Sequence, residues 1–111
     1  MLTSSIFARN QDLEGVAAGV RTIRSPETSD SVALIQQALL AVEMELPTAG
    51  VDDNFGDETG AAVSAFKADR IVLPSDPVVG PGTTRRLDLE VTYLDLNPTD
   101  PAGLDAKVLR V

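Results

Sequence analysis

The chain contains no cysteine, no histidine and no tryptophan. Without cysteine there is neither a thiol nucleophile nor a disulfide, and the compartment is left open on that score. Without histidine there is no Ser–His pair, and an ordinary zinc site lacks both its thiolate and its imidazole ligands. Aromatics are limited to Phe7, Phe55, Phe66 and Tyr93, so the core has to come mostly from Leu, Val, Ile and Ala. Only nine Lys and Arg stand against 17 Asp and Glu, giving a net charge of −8. Phosphate backbones draw on clustered positive charge, so no nucleic-acid partner is expected. No apolar run reaches the ~18 residues that a membrane helix needs, and no membrane insertion is expected. The start, "MLTSSIFARNQDLEGVAAG", has no basic segment followed by a continuous apolar one and does not read as a secretory signal. The expectation is cytoplasmic synthesis, followed by delivery to the cell envelope or assembly into a larger particle.

What is present is a helical pattern. At 111 residues the chain has the length of one domain. Residues 1–10 read as a loose lead-in. Leu13, Val16, Ala17 and Val20 sit at helical spacing and predict a short helix over Gln11–Val20. A connector, "RTIRSPETSD", follows. The next helix is expected from Asp30, with Ser29 as its cap and Val32, Ile35, Leu39 and Val42 as one stripe, widened by Leu34, Ala38 and Ala41. "ELPTAGVDDN" reads as a loop.

Two later stretches echo each other. Aligning Asp52 with Asp76 places Gly56 on Gly80, Thr59 on Thr83 and Val63 on Leu87, and Phe55 and Val79 precede the two glycines. The echo reads as a turn that launches a helix, used twice. Gly56 and Gly80 would supply backbone freedom. Asp57 and Pro81 suit the first helical turn, and Thr59 and Thr83 could bond back toward the turn. The expected architecture is all-α: core helices near 30–44, 57–69 and 81–89, a short N-terminal helix and long ordered loops. It divides as an N-terminal extension over 1–29, a domain over 30–90 and a C-terminal extension over 91–111, in which "KVLRV" alternates like a strand or a docking segment.

The polar residues of the first turn allow sharper readings. Asp52, Asp53, Asn54, Asp57 and Glu58 resemble a calcium loop in composition. Counted from Asp52, however, the sixth position is Asp57 where glycine is needed, and the twelfth is Val63 where glutamate is needed. A pair of these carboxylates could also serve as a glycosidase-like acid and base, but each has a structural role in the repeat. The expectation is therefore solvated turn carboxylates, no metal, no cofactor and no enzyme activity. Gln36 reads as a helix-surface or loop-bridging amide. Arg70, Arg85 and Arg86 form the basic cluster near the repeats.

Over residues 30–89 the chain resembles the peptidoglycan-binding domain-like family. Val32, Ile35, Gln36 and Leu39 match its first helix. Asp52, Phe55, Gly56, Thr59, Ala62, Val63 and Phe66 match its first turn and helix. Asp76, Val79, Gly80, Pro81, Thr83 and Leu87 match its second. The departures are Asp53 and Pro77 where the family has glycine, and Lys67 where it has glutamine. The resemblance implies a three-helix, non-catalytic module that binds cell-wall peptidoglycan. Asp52, Asn54, Phe55, Arg70 and Arg85 are the expected ligand-binding residues, because a stem peptide offers both amines and carboxylates. The alternative is a protein-interaction or structural component of a phage-tail-like or contractile injection apparatus that keeps the fold without binding glycan. A further alternative is a regulator of a wall enzyme. The expected partners are thus peptidoglycan fragments or a cell-wall-associated protein. The charge of −8 opposes long-range attraction to an anionic wall.

Overall fold

A computed structural model describes residues 1–97. They form four helices: α1 Gln11–Ala17, α2 Asp30–Ala41, α3 Asp57–Arg70 and α4 Pro81–Leu96. The fold class is all-α, and among the described residues there are two isolated antiparallel bridges but no strand. No described helix is long and apolar enough to cross a membrane. The segment "KVLRV" lies outside the described residues.

Helix starts follow the expected local chemistry. The Ser29 hydroxyl accepts from Val32 N at 3.3 Å, capping α2 as its sequence suggests. Asn10 caps α1 in the same way, accepting from Leu13 N at 2.8 Å. Helix ends are less legible. After α1, α2 and α3 the chain turns through a left-handed residue: Gly19 (φ +82°), Glu43 (φ +68°) and Ile71 (φ +56°). Beyond each, an amide bonds back five residues: Val20 N to Gly15 O, Met44 N to Leu39 O and Val72 N to Lys67 O, all within 2.9 Å. This closure normally uses glycine. α1 therefore stops at Ala17 rather than Val20, which is 79% exposed, and α2 stops at Ala41 rather than 44. α4 runs on to Leu96, well past the expected 89, so the boundary placed at residue 90 falls inside a helix.

One apolar core holds the described chain together. The predicted stripe of α2 is buried at Val32, Ile35, Ala38, Leu39 and Val42, whereas Ala41 faces solvent. Val63 and Phe66 of α3 and Leu87 and Val91 of α4 join it. The lead-in is not loose. Leu2 and Phe7 are buried in the same core as Leu13, Val16 and Ile23, so residues 1–29 pack as part of it. The first residues are pinned by carboxylates of α4. The buried Asp88 accepts from Thr3 N (3.0 Å) and Ser4 N (2.8 Å), and Asp95 accepts from Ser5 N at 2.7 Å. These bonds satisfy amides that lie outside the helices.

The connector between α1 and α2 links the two turns. Ile23 and Val79 exchange both backbone bonds, at 3.0 and 2.8 Å. A few residues on, Phe55 N donates to Glu27 O (2.8 Å) and Ser29 N to Asp53 O (3.1 Å). Phe55 and Val79, the paired hydrophobic residues of the repeat, are thus anchored by the same connector, and both are buried.

Candidate functional site

The two turns are clasped from the core side by a long polar side chain. At the first, Gln36 of α2 is fully buried. Its Nε2 donates to Asp52 Oδ1 (2.9 Å), Asn54 O (3.1 Å) and Thr59 Oγ1 (2.9 Å). Its Oε1 accepts from the backbone N–H of Asp52 and of Asp53, both at 3.0 Å. Gln36 is thus a loop-bridging amide. At the second turn, Lys67 of α3 donates through Nζ to Asp76 Oδ1 (2.6 Å) and Val78 O (2.7 Å), with 5% of its side chain exposed. The Gln36 bond is the main reason Asp52 titrates below the ordinary carboxylate range, and the Lys67 bond does the same for Asp76.

The glycines do not perform the role the sequence suggests. Gly56 (φ −105°) and Gly80 (φ −109°) are extended N-caps of α3 and α4, in a backbone region open to any residue. A Cβ at Gly80 would meet nothing within 4 Å. The left-handed residue of the first turn is Asp53, at φ +58°. The threonines do bond within the turns: Thr59 accepts from Gln36, and Thr83 Oγ1 accepts from Gly80 N at 3.4 Å. Gly60 has a different constraint, since a Cβ there would sit 3.2 Å from Pro77 Cβ, where α3 crosses the second turn.

The five expected ligand-binding residues do not converge. Asp52 and Asn54 lie at the surface of the first turn, with Asp52 held by Gln36. Phe55 is 1% exposed. The Arg70 side chain is 2% exposed and bonds Glu90 with both arms of its guanidinium, Nε to Oε2 at 2.9 Å and Nη2 to Oε1 at 2.7 Å. It also stacks 4.6 Å above the Phe66 ring and reaches Asp69 at 2.6 Å. Arg86 adds a second cation to Glu90 at 2.7 Å. Arg85 lies on another face, donating to Ala17 O at 2.8 Å. Phe55, Arg70 and Arg85 line three different surface cavities. The acid–base constellation expected for a stem peptide is therefore not assembled. Arg70 is a packing residue, its charge met by Glu90.

The feature that does lie beside the first turn is a cleft of about 330 Å³ between the connector, the start of α3 and the second turn. Phe55, Gly60, Pro77 and Val78 form its apolar wall, and Arg24 and Asp57 stand at its edge. Neither of those two charged groups has a side-chain partner among the described residues. Arg24 was not singled out in the sequence, since nothing in "RTIRSP" shows that the connector runs alongside both turns. Among the described residues no group of acidic side chains is arranged to hold a metal ion.

No protein-family model matches the chain, and no solved structure matches it. It is similar to the type VI secretion system spike protein VgrG3 of Vibrio cholerae serotype O1 (strain ATCC 39315 / El Tor Inaba N16961), with 31% identity over 101 residues. The similarity covers 79% of this chain but only 10% of that protein, so the chain spans about a tenth of the relative it matches.

Proposed function

We propose that the chain is a non-catalytic protein-interaction module of a phage-tail-like, contractile injection apparatus, built on a three-helix peptidoglycan-binding-like scaffold. The observation that carries this reading is the similarity to a secretion spike protein over most of the chain. The site geometry supports it. The polar groups that a wall ligand would need are engaged inside the fold, with Gln36 and Lys67 clasping the turns and Arg70 closed onto Glu90. The net charge of −8 favours a cationic protein surface over an anionic wall polymer.

The test is co-sedimentation of the full chain with purified contractile particles and, separately, with purified sacculi, each at low and moderate salt. Retention on the particles and not on sacculi is the expected result. Retention on sacculi alone overturns it.

Peptidoglycan binding is the second reading. It is favoured by the cleft beside the first turn, where Arg24 and Asp57 offer opposite charges across an apolar wall. Titration with soluble muropeptides separates the two readings, since wall binding requires resonance shifts at Arg24, Asp57 and Gly60. It should be weak, because an open polar cleft desolvates little apolar surface.

A further inference from the structure

The loop that leaves α3 turns apolar side chains outward. Ile71 and Leu73 are 78% and 76% exposed, and neither belongs to the apolar core. The loop is nonetheless fixed. Val72 N donates to Lys67 O (2.8 Å), Ser64 Oγ to Ser75 O (2.6 Å), and Lys67 Nζ to Asp76 and Val78. Ile71 also sits at φ +56°, a region in which a β-branched residue is strained. Strain that displays large apolar side chains to water adds nothing to the packing of the chain itself. Such strain collects at functional surfaces, and exposed apolar patches mark contacts with other molecules.

The patch continues onto the start of α4. A Cβ at Gly82 would meet Val72 Cγ1 at 3.4 Å, and one at Gly19 would meet Pro81 Cγ at 3.8 Å. Pro81 and Gly82 thus lie between Val72 and the end of α1, where Val20 is 79% exposed. The border of the patch is cationic. Arg85 and Arg86 stand one helical turn after Pro81 and Gly82, on the same faces of α4. Arg85 is exposed and donates to the Ala17 carbonyl, with no carboxylate partner among the described residues. The first turn of α4 carries no acid, so its dipole adds to the positive charge. The neighbouring carboxylates are engaged: Asp69 with Arg70, Asp88 with the amides of Thr3 and Ser4, and Glu90 with Arg70 and Arg86. None of the residues of the patch or its border lines the cleft at the first turn.

We propose that this patch is the surface by which the module docks on the apparatus, and that it takes a protein segment bearing apolar side chains beside a carboxylate. Ile71, Leu73 and Val20 cover the apolar side chains, and Arg85 meets the carboxylate. The net charge of −8 acts at range. At contact, neighbouring charges decide, because screening at physiological salt reaches only about 8 Å. The loop is preformed, so docking has little chain to order. The inference rests on the apparatus reading and names its contact surface and the chemistry of its partner.

The test is co-sedimentation of the full chain with purified contractile particles, comparing the parent with I71S/L73S, R85E and V51S. The expected result is a loss of about tenfold in retention for I71S/L73S. R85E should lose less, and its loss should grow as salt is lowered. V51S, at an exposed apolar residue outside the patch, should be retained like the parent. If I71S/L73S fails to fold, Leu73→p-benzoylphenylalanine replaces it: irradiated on the particles, it should cross-link to a particle protein at a segment of the stated composition. Equal retention of the parent and folded I71S/L73S overturns the proposal and leaves the apparatus reading standing. No retention of the parent overturns both. A loss for V51S equal to that of I71S/L73S overturns the assignment to this patch. So does a cross-link from position 73 into residues 98–111 of the same chain or into a second copy.

Discussion

Gln36 and Lys67 perform equivalent work on different helices. Each reaches from the core to the aspartate that opens a turn, Asp52 or Asp76, and to the carbonyl two residues on, that of Asn54 or Val78. The repeat visible in the sequence therefore includes its clasp, with an amide in one copy and an ammonium in the other.

Removing either clasp leaves buried polar groups unmet. Gln36→Leu strips partners from the amides of Asp52 and Asp53 and is expected to cost about 2–3 kcal/mol. Lys67→Met should cost about 1–3 kcal/mol, while Lys67→Gln, which can still donate to Val78 O, should cost less. Urea denaturation of the three variants checks this. Losses below ~0.5 kcal/mol, the surface value, would show that the turns hold without their clasps.

The Arg70–Glu90 pair is buried on both sides. Arg70→Met leaves the Glu90 charge facing Arg86 alone and is expected to cost about 3–5 kcal/mol. Arg70→Met with Glu90→Leu should recover a large part of that loss, because an apolar pair needs no desolvation. Phe66→Ala, beneath the same guanidinium, should cost roughly 3–5 kcal/mol. A double-mutant cycle by chemical denaturation measures the coupling, and additive losses would contradict it.

Backbone relief should come where φ is positive. Ile71 is a β-branched residue in the left-handed region and is 78% exposed, so its side chain offers little packing in return. Ile71→Gly is expected to raise stability by up to about 1 kcal/mol, with strain relief partly offset by a freer unfolded chain. Gly80→Ser should gain a few tenths of a kcal/mol by adding a cap where a Cβ meets nothing. Thermal melts order the two changes. A destabilised Ile71→Gly would mean that the exposed isoleucine packs better than its accessibility indicates.

Acid should weaken the fold. Asp12, Asp52, Glu58, Asp76 and Glu90 all titrate below their ordinary values. Hydrogen bonds lead for the first four: from Ser31, Gln36, the Ala49 amide and Lys67 respectively. For Glu90, burial pushes upward, but bonds from Arg70 and Arg86 outweigh it. A depressed folded-state pKa means that the unfolded chain binds protons first. The contribution is complete above the unfolded values near pH 4 and is lost as pH falls through and below them. Urea midpoints from pH 7 to pH 3 should fall monotonically, and Lys67→Met should flatten the acid limb. A midpoint unchanged down to pH 3 would contradict the assignment.

The helices and the core were legible because periodicity reports burial. Val32, Ile35, Leu39, Val63, Phe66 and Leu87 all lie where their spacing puts them. Helix ends were less legible, because Glu43 and Ile71 occupy left-handed closures where glycine is the usual signal. The glycines that drew attention, Gly56 and Gly80, are ordinary extended caps, whereas Asp53 carries the positive φ. The placement of the candidate site residues was less legible, for a tertiary reason. Sequence places Arg70 near the repeats but does not show that Glu90, one full turn beyond Arg86, closes over it. The cleft at Arg24 depends on the path of the connector, which only long-range backbone pairing defines.

The carboxylates that pin the first residues also bring together the two places where the described chain enters and leaves. Ser5 and Asp95 are joined by a 2.7 Å bond, and Thr3 shares a 2.8 Å hydroxyl contact with Thr92. A unit whose first residues and last helix are tied at one corner can be joined to a larger body there without being pried apart, the geometry that makes domain insertion tolerable. Anchorage at that corner leaves the cleft at the first turn accessible, since neither tied segment lines it.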